Sequence, residues 1–107
     1  MSMQQTVEAT LRQAVPMLLE MSGMGLEARR LRNLDACLSM DPQEWVTAVS
    51  NARDGAHGRL SESVREACFW AEALVWAVWA DDSWMFEAAL KRLESHIDAG
   101  FAEATPH

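Results

Sequence analysis

Side chains able to carry chemistry are sparse in this chain, and none stands at a productive spacing. The histidines are His57, His96 and His107, and no two share the three- or four-residue separation that puts metal ligands on one helix turn. Asp54 and His57 are close in sequence, but Gly55 and Gly58 place them in a loop rather than on one helical face. In a four-helix phosphotransfer domain the reactive histidine sits in mid-helix, whereas His57 is followed by Gly58, Arg59 and Leu60 in a turn. Cys37 and Cys68 belong neither to a C-x-x-C pair nor to a disulfide-rich pattern, and read as small buried residues of a reduced cytosol. Nucleophilic catalysis needs an activated Ser or Cys beside a base, and the apolar neighbours of Cys68 should raise its pKa and silence it. Gly23-Met24-Gly25 lacks the third glycine and the preceding strand of a phosphate cradle. The expectation is a non-enzymatic protein with no catalytic residues, no metal and no cofactor.

Tryptophan is the residue type in excess. Trp45, Trp70, Trp76, Trp79 and Trp84 make five in 107 residues, and the last four fall close together. Large aromatics stabilise a small core, so packing is the leading reading. The alternatives are an interface, where Trp is enriched among hot spots, and a pocket for a flat apolar ligand lined by Trp and by some of the seven Met.

Charge is one-sided. The net of −7 divides into −1 for residues 1–60, with six Arg against seven acidic residues, and −6 for residues 61–107, with three basic against nine acidic. A surface of this sign does not bind nucleic acid by neutralising phosphates and is repelled by anionic lipid, so the expected partners are neutral or basic proteins. Arg29, Arg30 and Arg32 form the one basic cluster, read as a solvated face, with contact to an acidic partner as the functional alternative. Glu62, Glu66, Asp81, Asp82, Glu87 and Glu94 likewise read as solvated, with imitation of nucleic-acid phosphates as the alternative.

These residues must be positioned by helices. The chain has one domain's worth of residues, 50% apolar and 23% charged, with no Tyr and abundant Leu, Ala, Glu, Arg and Met. The apolar run Ala67 to Ala80, broken only by Glu72, is too short and too charged to span a bilayer. As a helix it puts Cys68, Ala71, Leu74, Val75 and Val78 on one side and turns Phe69, Ala73 and Trp76 to another, so burial on several sides is expected.

Around it, a capping-box match at Ser2 opens a helix over residues 3–21 that Pro16 should kink or restart, and Ser22-Gly23-Met24-Gly25 ends it. A second helix over 26–39 carries Leu31, Leu34 and Leu38 inward. Asp41-Pro42-Gln43-Glu44 starts a third, with Trp45, Val46, Val49 and Ala52 inward and an end near Asp54. The fourth starts at Ser61 or Ser63, the latter matched by Glu66, and breaks at Asp81-Asp82-Ser83. The fifth presents Phe86, Leu90, Leu93 and Ile97, with Gly100 as the residue beyond its end and 101–107 as a fraying tail.

The reading is therefore an all-α, single-domain bundle of about five helices over residues 1–100, around a central apolar helix near 61–80. Met1 to Thr6 has neither the basic nor the apolar region of a signal peptide, which points to the cytoplasm, with no membrane contact. The expected function is an acidic adaptor or inhibitor that docks on a larger protein and can form a homodimer, a class that includes phage or mobile-element accessories such as anti-CRISPR proteins. Candidate contacts are Trp70, Trp76, Trp79, Trp84, Glu62, Glu66, Asp81, Asp82, Arg29, Arg30 and Arg32. A small-molecule sensor or carrier with a Trp/Met-lined pocket, and a small export chaperone holding a client helix, are the alternatives.

Overall fold

The structure, a computed structural model, describes residues 9–33, 42–55 and 61–104. The described residues are all-α: a π-helical turn Thr10–Ala14, then α1 (Val15–Met21), α2 (Gly25–Asn33), α3 (Pro42–Gly55), α4 (Glu62–Trp79) and α5 (Ser83–Ala104). The radius of gyration, 12.7 Å, is that of a compact chain of this length.

Pro16 does what its missing N–H and crowding ring require. The wide turn ends at Ala14 and runs straight into α1 at Val15, both junction residues keeping helical dihedrals, so the proline sits in the first turn of α1 and the hydrogen-bond pattern changes just before it. Gly23, at φ 86°, closes α1: its N–H reaches the Glu20 carbonyl, Met24 N–H reaches that of Leu19, and Met24 and Leu19 are both buried in the core. Gly25 is the first residue of α2, so one glycine rather than two supplies the left-handed turn. The expected cap at Asp41 and the inward Leu34 and Leu38 lie outside the described residues, and α3 starts at Pro42 as the N1 signal requires.

Ser61, not Ser63, caps α4, its hydroxyl accepting from Val64 N–H at 3.3 Å. Ser63 is thereby freed to donate to Glu103 Oε1 at 2.8 Å, clasping α4 to the far end of α5. That bond, joined by Ser61, holds the Glu103 carboxyl below its usual pKa.

The other end of this hairpin turns without a spacer. Asp81, at φ 55°, takes the left-handed position after α4, its N–H bonded to Val78 O and that of Asp82 to Ala77 O. Asp82 then caps α5, its Oδ1 accepting from Met85 N–H at 3.0 Å.

α4 and α5 share the largest interface; α3 covers a second side of α4, and α1 lies across both members of the hairpin. Leu18, Leu31, Val49, Leu74, Val75 and Leu93 are fully buried where these helices meet. One expectation about α5 is corrected. Gly100 does not end α5, which continues to Ala104; it is a buried helical residue beside Leu18, and Phe101 packs against the core. Burial of α4 on several sides holds, since α5, α3 and α1 all pack on it, but Val78 is only half-buried and the flank that carries Phe69 and Trp76 faces solvent.

Candidate functional site

Helical periodicity places Phe69, Ala73, Trp76 and Ala80 one above another on α4, opposite the buried stripe of Ala67, Ala71, Leu74 and Val75. Phe69 is 51% exposed and Trp76 40%. At the elbow Trp79 (65%), Trp84 (75%) and Met85 (38%) join them. Trp76 and Trp79 meet edge to face, with ring centroids 5.7 Å apart. Between α4 and the start of α5 lies an open cavity of about 300 Å³, lined by Ala73, Trp76, Ala77, Ala80, Asp82 and Met85 and almost wholly apolar. The exposed Asp82 belongs to its lining, and the exposed Asp81 precedes it in the turn.

Core packing as the role of the tryptophans is thus corrected: Trp76, Trp79 and Trp84 are exposed. The physical reason is geometric. Among the described residues α3 and α5 flank α4 and α1 crosses it, and none packs over its fourth side. Trp70 belongs elsewhere. It is half-buried against the core, edge-on to Phe69 at 5.2 Å, with the Arg92 guanidinium 5.1 Å from its ring centroid. The Trp45 side chain lies outside the described residues.

The charged candidates do not gather in one place. Glu62 and Glu66 stand at the start of α4, Asp81 and Asp82 beyond its end, and Glu87 and Glu94 along the exposed side of α5. Arg29 and Arg30 are exposed on α2, and Arg32 bonds Glu20 on α1 at 2.6 Å. The structure brings together Trp76, Trp79, Trp84, Asp81 and Asp82, and separates from them Trp70, Glu62, Glu66 and the arginines. Ala73, Ala77, Ala80 and Met85 add to the candidate contacts, and the spacing of 69, 73, 76 and 80 is the sequence signal for the first and third of them.

A polar contact lies on another flank of α4. Arg53 Nη1 meets Glu72 Oε2 at 2.5 Å, with Ser50 Oγ accepting from Nη2, so the one charge in the apolar run ties α3 to α4. Burial pushes the Glu72 carboxyl up from its usual value, against the pull of Arg53. One turn earlier Cys68 is buried, and desolvation drives its thiol up to about 12, which makes it inert, as its apolar setting implies. Among the described residues no group of three potential metal ligands comes together, and no helix is long and apolar enough to cross a membrane. His57, His107 and Cys37 lie outside the described residues. No protein-family model matches the chain, and neither a curated protein nor a solved structure is similar to it.

Proposed function

We propose that this chain is a non-enzymatic, acidic helical interaction protein, an adaptor or inhibitor that docks on a larger protein through the apolar elbow between α4 and α5. The observation that carries this reading is an apolar cavity lined by the exposed Trp76 and Met85, with the exposed Trp79 edge-on to Trp76 and the exposed Trp84 next to Met85 in the chain. Contiguous exposed apolar surface is uncommon on a monomer, and tryptophan is the residue most enriched where interfaces concentrate their binding energy. Asp82 in the lining and Asp81 before it favour a partner whose apolar anchor is flanked by Lys or Arg. An apolar helix laid along Phe69, Ala73, Trp76 and Ala80 is the form of anchor that suits the groove, which is also how an export chaperone would hold a client.

The narrower role of a phosphate-mimicking blocker, of the anti-CRISPR kind, rests on the acidic residues. Their spread over both ends of the hairpin favours docking by the tryptophans over docking by charge. Partner binding that weakens steeply with salt would reverse that order.

The test is affinity capture from the native host with the wild-type chain and with the triple variant W76S/W79S/W84S, read by mass spectrometry and light scattering. A specific partner that the variant loses supports the reading; equal capture by both refutes it. One observation favours a second reading: a cavity of about 300 Å³ is also enough for a small flat ligand, at the lower end of ligand pockets. A carrier of that kind requires the emission of Trp76 to shift with an aromatic or acyl compound.

A further inference from the structure

The cavity at the elbow joins an apolar wall to charge of one sign. Ala73, Trp76, Ala77, Ala80 and Met85 line it together with a single carboxylate, Asp82, and Asp81 precedes that residue in the turn. From Ala73 to Leu90 the chain carries Asp81, Asp82 and Glu87 and no Lys, Arg or His. Resting on the reading of this cavity as a ligand pocket, we propose that it takes an aromatic ammonium compound, one ring joined by a short chain to a protonated amine.

Size and wall select the ring. A cavity of about 300 Å³ has room for one aromatic ring and a short side chain. The three alanines leave that space open, the Trp76 indole bounds it, and the Met85 thioether offers the polarisable contact that aromatic rings favour.

Charge selects the head group. Asp82 Oδ1 accepts from Met85 N–H at 3.0 Å, and a carboxylate accepts at both oxygens, so capping α5 leaves Asp82 able to receive an ammonium N–H. Asp81 adds a second negative charge beside it. The indole faces act in the same sense, with Trp79 edge to face with Trp76 at 5.7 Å. Arg53, Arg65 and Arg92, on or against α4, do not offset this charge: Arg53 is bonded to Glu72 on another flank, Arg65 shares the opposite end of α4 with Glu62 and Glu66, and Arg92 lies over the Trp70 ring. An anionic acyl compound would meet carboxylates in the cavity with no cation in its lining to receive it.

Two-dimensional NMR of the indole N–H signals of the full chain tests the assignment, with Trp76 identified through Trp76→Phe. The probes share a ring and differ in head group: 2-phenylethylammonium, 2-phenylethanol and 3-phenylpropionate. At low salt the ammonium should move the Trp76 signal with a dissociation constant of about 1 mM or below, the alcohol should bind about fivefold more weakly, and the carboxylate more weakly still. Added salt should narrow the gap between ammonium and alcohol. The double variant D81N/D82N removes both charges and keeps the backbone, since Asn tolerates the left-handed conformation of Asp81 and caps a helix as well as Asp does. It should bring the ammonium to the alcohol's level and leave the alcohol unchanged.

Circular dichroism confirms that each variant remains helical. An ammonium that binds no better than the alcohol, or a preference that survives in D81N/D82N, overturns the assignment, and a Trp76 signal that still moves leaves the pocket standing. A Trp76 signal unmoved by all three probes removes the pocket as well, and tryptophan-dependent partner capture remains the separate test of the docking elbow.

Discussion

Replacing Gly100 by alanine sets two opposing effects against each other, and the structure says which wins. Gly100 lies inside α5, where alanine is favoured over glycine by about 1 kcal/mol. The new methyl would stand 2.8 Å from Leu18 Cδ1 and 3.1 Å from Cδ2, and Leu18 is only 1% exposed, so its side chain has no solvent to swing into. Overpacking of a closed core costs about 1–3 kcal/mol. With the middle of that range, Gly100→Ala loses about 1 kcal/mol net. In a Leu18→Ala background the obstructing carbons are gone, and the same change should gain about 1 kcal/mol, a coupling of about 2 kcal/mol between the sites. Urea unfolding followed by far-ultraviolet circular dichroism reads this as midpoint shifts at constant slope. A stabilising Gly100→Ala in the wild-type background refutes the close contact. Equal losses in both backgrounds would mean instead that the glycine serves a left-handed helix end.

Three further outcomes follow from the contacts described. Cys68 keeps its proton in the folded state to about pH 12, whereas the unfolded thiol releases it near 9.0, so stability should be level below that lower value and fall as pH rises above it. Urea midpoints at rising pH in a Cys37→Ser background measure the slope, which Cys68→Ala should remove; with no Tyr in the chain, few other groups titrate there. Arg53→Met should cost about 1–3 kcal/mol at neutral pH, because it strands a carboxylate whose side chain is only 15% exposed. Glu72 already has a raised pKa when folded, so its contribution is most favourable in acid and is lost as pH rises through that raised value. The Arg53 variant should steepen this loss in midpoints measured between about pH 4 and 7. At the elbow, Asp81→Gly should gain about 0.5–1 kcal/mol by relieving a left-handed non-glycine residue, and Asp82→Ala should lose about 1 kcal/mol with the cap, both read as thermal midpoints.

Local signals foretold the helices and their order. Pro42 marks the start of α3, Asp81-Asp82-Ser83 the break between α4 and α5, and Gly23 the end of α1, because each acts through its own backbone and immediate neighbours. Where a distant element decides, local signals mislead. Gly100 has the composition of a helix end, but the side chain crossing it belongs to Leu18, far back in the chain. Ser63 fits a capping box, yet its hydroxyl serves Glu103, forty residues on. The same holds for the candidate site. Periodicity shows that α4 is apolar on two opposite sides, but it cannot count how many neighbours arrive to cover them. The sequence therefore leaves Trp76 open between core and contact surface, and the placement of α1, α3 and α5 decides for exposure.

The spacer-free turn at Asp81 and Asp82 also bears on the order in which the molecule forms. A connection this short costs little chain entropy to close, and a hairpin of two long helices consists of contacts near in sequence, the kind that assemble fastest. α4 and α5 are therefore expected to zip first, ahead of the more distant docking of α1 across them. Substitutions at Leu74 or Leu93 should then slow refolding, while those at Leu31 should chiefly speed unfolding. The tryptophan face would be complete while the opposite side of the same helix still waits for its cover.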